Sequence, residues 1–276
     1  MAYRRPISAK KLVISISLCM LAASSVAPAI AAATVTACTA INLCYGINSI
    51  NANAIAANIS RVWQEIAAQR AKGKAIGYLS IPLSTTGGSY FGVNLEVAQQ
   101  TKDGIEKRLR SDSVWILNPG SEGNLPAGAS GADDMYMWTQ ILEGTHGLGE
   151  DFDFFYFAGS SDFAQFFQLT GVSDLDVIAS YFDKKIISDA TLKKAVDQGS
   201  VTRSSFRDYY GLRASVAFSL GSHDEWNIAR LINKRRRGSN NLGISSQISI
   251  FFDDHAVPPA SFGGITAPGD AGRCIN

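Results

Sequence analysis

The chain has 276 residues with 25 basic and 24 acidic side chains, so it carries no electrostatic footprint for nucleic acid or for an anionic membrane surface. An apolar content of 46% excludes wholesale disorder. Roughly 240 residues remain once the N-terminal leader is set aside, enough to bury a substantial core as one domain.

The leader occupies residues 1–33. Arg4, Arg5, Lys10 and Lys11 precede an apolar run from Leu12 to Leu21, followed by the small-residue stretch Ala22–Ala33, the layout of a secretory signal peptide with a cut after Ala31 or Ala33. The run is short for a bilayer span and is diluted by serines and Pro28, so no membrane anchor is expected in the mature form. Arg4-Arg5 also admits a twin-arginine reading, although the flanking residues fit it poorly. Cys19 lies within the leader without the small residue that lipid attachment would want before it, so a lipoprotein is not expected. An exported, periplasmic or extracellular protein follows, with an oxidised pair among Cys38, Cys44 and Cys274. Cys38 with Cys44 would close a local loop, whereas either with Cys274 would join the chain's two ends.

Residues 34–73 read as a cysteine-containing lead and a helix carrying Ile47, Ile50, Ile55, Ile59, Val62, Trp63 and Ile66 at near-helical spacing, with its stop at Arg70, Lys72 and Gly73. An α/β domain then spans residues 74–255. Lys74–Leu83 is its first strand, leading through Ser84–Gly88 to Asn94, an expected N-cap, and a helix ending at Arg110. Ser113–Leu117 is the second strand. Asp133 and Asp134 cap the next helix, and Phe152–Phe157 is the third strand. Successive β-then-α units predict a mostly parallel sheet covered by helices on both faces.

A largely helical insertion is expected over about residues 160–210, with Phe163, Phe166 and Phe167 on one face. A basic helix follows from His223 to Arg236. Gln247–Phe252 suits a last buried strand, and residues 256–276 read as a Pro- and Gly-rich surface tail.

Ligands of open parallel sheets bind beyond the carboxyl ends of the strands. The polar residues there are Ser80–Gly88, Asn118 and Glu122, Gly159–Asp162, and Ser219–Glu225. In the last group a glycine-containing turn leads into His223, Asp224 and Glu225, a place able to hold a carboxylate nucleophile or a general base. The structural alternative is that Ser222, Asp224 and Glu225 are only an N-cap and helix-dipole partners. No two of the three histidines have a zinc spacing, so neither a metal nor a cofactor is expected. Asp253-Asp254-His255 reads as a polar turn in preference to a divalent-ion site, and no Gly-x-Ser-x-Gly elbow occurs. Gly159-Ser160-Ser161-Asp162 resembles a phosphate-cradling turn without the P-loop lysine, and Lys234–Arg237 reads as a solvated helix C-terminus.

Tyr78-Leu79-Ser80-Ile81-Pro82-Leu83, Asn94 at a helix start, Trp115-Ile116-Leu117-Asn118-Pro119, Asp133-Asp134-Met135-Tyr136-Met137, Asp153, and Ser219-x-Gly221-x-x-x-Glu225-x-x-x-Ala229 together resemble the nucleoside 2-deoxyribosyltransferase-like superfamily. The resemblance spans roughly Lys74–Phe252 and implies a three-layer, flavodoxin-like α/β fold. It also implies a small-molecule substrate whose N-glycosidic bond is cleaved or exchanged. On it, Glu225 is the nucleophile, with Tyr78 and Ser80 lining the sugar and base pocket and Asp133 or Asp134 touching base or sugar. Asn118, Ser219 and Gly221 complete the expected substrate-binding set, and His223, Asp224 or Asp133 would protonate the leaving base. Two features are this chain's own: Ile81 where that family has a small residue, and about sixty residues between Gly159 and Ser219 where it has a short loop. The competing reading is a non-catalytic secreted or envelope-associated binding protein on the same scaffold, with Glu225 away from any cleft. Neither reading fixes an oligomeric state.

Overall fold

The computed structural model describes residues 33–83, 86–122, 125–238 and 247–258, and it opens with a hairpin where a plain lead was expected. Strands β1 (Thr34–Cys38) and β2 (Cys44–Asn48) pair antiparallel with Cys38 opposite Cys44, and a disulfide joins the two. The pairing is therefore the local one, and Cys19 and Cys274 lie outside the described residues. Ile47 belongs to β2 and not to the helix that follows, because Thr34, Val35 and Thr36 favour strand and their partner must match the sheet's two-residue period. Helix α1 (Ala52–Ala71) buries Ile55, Ile59, Val62 and Ile66 along one stripe and stops before Gly73, whose φ of 78° suits glycine.

The main sheet contains β3 (Ala75–Ser80), β4 (Val114–Leu117), β5 (Phe154–Phe157), β6 (Ser249–Phe252) and the two-residue β7 (His255–Ala256). Their spatial order is β4-β3-β5-β6-β7. The first four are mutually parallel and β7 runs antiparallel to β6, so the fold is α/β with a mostly parallel sheet. β5 is buried at every position, as a strand covered on both faces requires.

Between these strands lie α2 (Phe91–Leu109), the single turn α3 (Pro119–Glu122) and α4 (Gly131–Glu143). Asn94 does not cap α2. The helix begins three residues earlier, and Asn94 is fully buried inside it, accepting a 2.6 Å hydrogen bond from the Tyr210 hydroxyl. Ser130, not Asp133 or Asp134, is the N-cap of α4, with Asp133 returning the bond in a capping box.

The insertion is helical as expected: α5 (Ser160–Phe167), α6 (Asp174–Ser188), α7 (Ala190–Asp197) and α8 (Arg203–Leu212). Its core is aromatic, with Phe167, Phe182 and Tyr210 each in ring contact with Phe206. Tyr210 also binds the backbone of Tyr90, which fastens α8 to the start of α2. A short 3-10 turn, Val216–Phe218, delivers the chain to α9 (Leu220–Gly238). Helices α1, α4 and α9 pack side by side, and α2 packs on β4 and α5. No helix among the described residues is long and apolar enough to cross a membrane.

Candidate active site at the carboxyl end of β3

Residues 78 and 80 are two apart on one strand, so their side chains leave the sheet on the same face. Both reach the same acid. The Tyr78 hydroxyl donates to Glu225 Oε1 at 2.5 Å, and the Ser80 hydroxyl donates to Oε2. Gly77 makes this strand end possible, since a Cβ there would come within 2.5 Å of the Phe154 ring and 2.6 Å of Ile116. Trp138, Phe152 and Phe155 pack around the Tyr78 ring and fix its direction.

Glu225 sits in the second turn of α9, which starts at Leu220 and not at His223. The acid is therefore inside the helix and is not a cap. Ser219 takes the capping place, its hydroxyl accepting from Ser222 N at 3.3 Å. Burial pushes the Glu225 carboxyl up to about 7; the two hydroxyl donors oppose that rise and neighbouring Asp224 adds to it. Burial and the adjacent Glu225 charge raise the Tyr78 phenol well above its ordinary value, so it remains a proton donor to the acid.

Glu225 opens on a cavity of about 500 Å³. Asp134, Asp224, Ser219, Gly221 and Ser222 supply much of its polar lining, and Trp138, Met135, Phe91, Leu83 and Ile81 supply apolar wall. Asp134 is half-buried and is pushed up to about 6, first by burial and then by Asp133 beside it.

The expected residues thus divide. Tyr78, Ser80, Asp134, Ser219, Gly221, Asp224 and Glu225 converge on one place. Asp133 does not join them: its carboxylate accepts from Asn48 N at 2.8 Å, Asn51 Nδ2 at 3.1 Å, and Ser130. Burial works to raise its pKa, but these donors hold it below the usual value, which suits a fixed structural anion that ties the hairpin to α4. His223 turns back to the 3-10 turn, with Nε2 2.9 Å from Ala217 O, and does not line the cavity. Asn118 closes a turn by accepting from Gly120 N at 2.9 Å, leaving Pro119 and Gly120 to line the cavity. The non-catalytic reading expected Glu225 apart from any cleft and from Tyr78. Both are together here, although Asp133 is elsewhere.

The wall residue Trp138 was legible only as part of the apolar face of α4. Its spacing of four from Asp134 places both on one side of that helix, which was the available signal. Other motifs are consumed by the fold. Arg236 is buried and donates to Leu148 O at 2.6 Å and Gly149 O at 3.0 Å, so the basic run is not simply solvated. The 253–255 segment is a tight turn into β7, with φ of 50° at Asp253 and 65° at Asp254, and no cluster of metal-binding side chains occurs among the described residues.

Set beside known proteins, the chain matches no family model, no curated protein and no solved structure. Its likeness to the deoxyribosyltransferases therefore rests on the motif residues alone. What the site offers chemically is an aimed carboxylate with both oxygens held by neutral donors, beside a second carboxyl of raised pKa, on a cavity with an aromatic wall. Such an acid can stabilise or covalently trap a developing carbocation.

Proposed function

We propose that the chain is an exported enzyme that cleaves or transfers the N-glycosidic bond of a nucleoside- or nucleotide-like substrate, with Glu225 meeting the anomeric carbon. One observation carries the reading: Glu225, gripped by Tyr78 and Ser80, faces a cavity of small-molecule size at the carboxyl end of the sheet. The strand order and the two helix groups support a flavodoxin-like, three-layer architecture, in which the topological switch lies between β3 and β5, beside Tyr78 and Ser80.

In this mechanism the sugar sits over Glu225 and the base lies against Trp138. The C1′–N bond breaks through an oxocarbenium-like state, and a Glu225 oxygen bonds to C1′ or stabilises its charge. Tyr78 and Ser80 keep that oxygen pointed at the sugar. Asp134, whose raised pKa lets it keep a proton at mildly acidic pH, is the group that can protonate a neutral leaving base. Water or a second base completes hydrolysis or transfer.

Export is supported by the leader composition and by the Cys38–Cys44 disulfide, which an oxidising compartment preserves. The protein recovered after export should begin at Ala32 or Thr34. Incubated with nucleosides, it should release free base measurable by chromatography. No release above a Glu225→Gln control would remove the glycoside reading.

A further inference from the structure

The cavity's charge is as informative as its shape. Three carboxyl groups line it, from Asp134, Asp224 and Glu225, whereas its lining contains no lysine, arginine or histidine among the described residues. The Tyr78 and Ser80 hydroxyls that hold Glu225 are neutral, so neither cancels its charge. A phosphate placed here would meet the Asp134 and Glu225 carboxyl groups with no basic side chain on the described lining, at a cost that grows as the apolar wall excludes water. A cation over an indole ring, in contrast, is attracted by both the ring face and the carboxylates.

We infer that this cavity selects a positively charged heteroaromatic ring, such as a pyridinium, carried on an unphosphorylated sugar, and rejects nucleotides. Recognition of the ring stands on the cavity lining; its cleavage rests on the glycoside reading above.

The chemistry fits that substrate class. When the base nitrogen is already cationic, the C1′–N bond breaks with its electron pair passing to nitrogen, and the base leaves neutral without needing a proton. A Glu225 oxygen forms the new bond to C1′. Water then replaces that oxygen, giving free ribose, the regenerated carboxylate and one released proton. The substrate's positive charge therefore appears in solution as that proton. An acid beside the base is unnecessary, and Asp134 serves better as an anion.

Calorimetric titration of the full mature protein at pH 8 tests recognition without requiring turnover. The cation 1-methylnicotinamide should bind about tenfold tighter than neutral nicotinamide, the preference of one additional close charge contact. Asp134→Asn should remove most of that preference. Nicotinamide riboside should bind at least about tenfold tighter than its 5′-phosphate. Equal affinity for the cation and its neutral counterpart, or tighter binding of the phosphate, would overturn the inference even if nucleosides are cleaved. Cation-selective binding with no nicotinamide release from the riboside would uphold the selectivity and overturn the glycoside reading.

Discussion

Two neighbouring strands of the same sheet end in the same device, a tyrosine hydroxyl on a buried carboxyl, and put it to different uses. At the end of β3, Tyr78 holds Glu225 against a cavity. At the end of β5, Tyr156 donates to Asp162 at 3.0 Å, but Asp162 turns its other bonds inward and accepts from Gly159 N at 2.9 Å. The helix start there is already plugged. Asp253 accepts from Ser161 N at 3.0 Å and from the Ser161 hydroxyl, and it lies so close to Gly159 that a Cβ would come within 2.2 Å of its Cγ. Asp254 is paired with Arg108. Burial pushes Asp162 up to about 6, much as it raises Glu225, so a raised pKa alone does not separate an acid that faces a cavity from one enclosed by the fold. What separates them is whether space for a ligand remains beside the carboxyl.

Paired substitution separates the two acids most strongly. Glu225→Gln should lower base release by about a thousandfold or more, as loss of a nucleophile does. Asp162→Asn should leave the rate within about threefold while lowering stability by about 1 kcal/mol through its weakened capping bond. Rates from chromatography and denaturant midpoints read the two effects separately, and equal rate losses would abolish the distinction.

A smaller effect concerns pH. With a neutral nucleoside, the proposed reaction needs Glu225 ionised and Asp134 protonated, so the rate should peak between about 6 and about 7, the values to which the two carboxyls are pushed up. With a cationic pyridinium riboside no acid is needed, and the rate should rise through about 7 and then stay level. A peak for both substrates would reassign Asp134.

The same titration affects stability with a definite sign. The folded protein holds the Glu225 proton more tightly than the unfolded chain, so this contribution is fully present below the ordinary carboxyl range and is lost as pH rises through about 7. Glu225→Gln should therefore shrink the fall in Tm between pH 5 and pH 8. An unchanged fall would place the linkage on another group.

The smallest effect is expected at the plug. Asp253→Ala frees the start of α5 and should cost about 1 kcal/mol, the usual worth of a lost cap, without altering base release. Activity that falls with it would make the β5 end part of the site.

Periodicity and local chemistry alone made much of the fold legible. Apolar runs at 75–80, 114–117 and 154–157 with helices between them required a mostly parallel sheet, because such strands are stable only when both faces are covered. Tyr78, Ser80 and Glu225 were also legible as a set, through the motif resemblance. The cysteine hairpin was missed because its strands are five residues long and its apolar positions run on into α1 without a break. Cap-like residues in the sequence put the starts of α2 and α9 four and three residues too far along, because a good capping residue draws the boundary to itself even when tertiary packing buries it, as it buries Asn94.

Tertiary structure alone decided which of two adjacent aspartates serves the cavity. Asp133 and Asp134 are indistinguishable as residue types, yet about 100° of helical rotation separates neighbouring side chains. That rotation gives Asp133 to the hairpin's backbone donors and Asp134 to the cavity. Sequence supplies the acids and their helix; the direction each one faces depends on what packs around that helix from far along the chain.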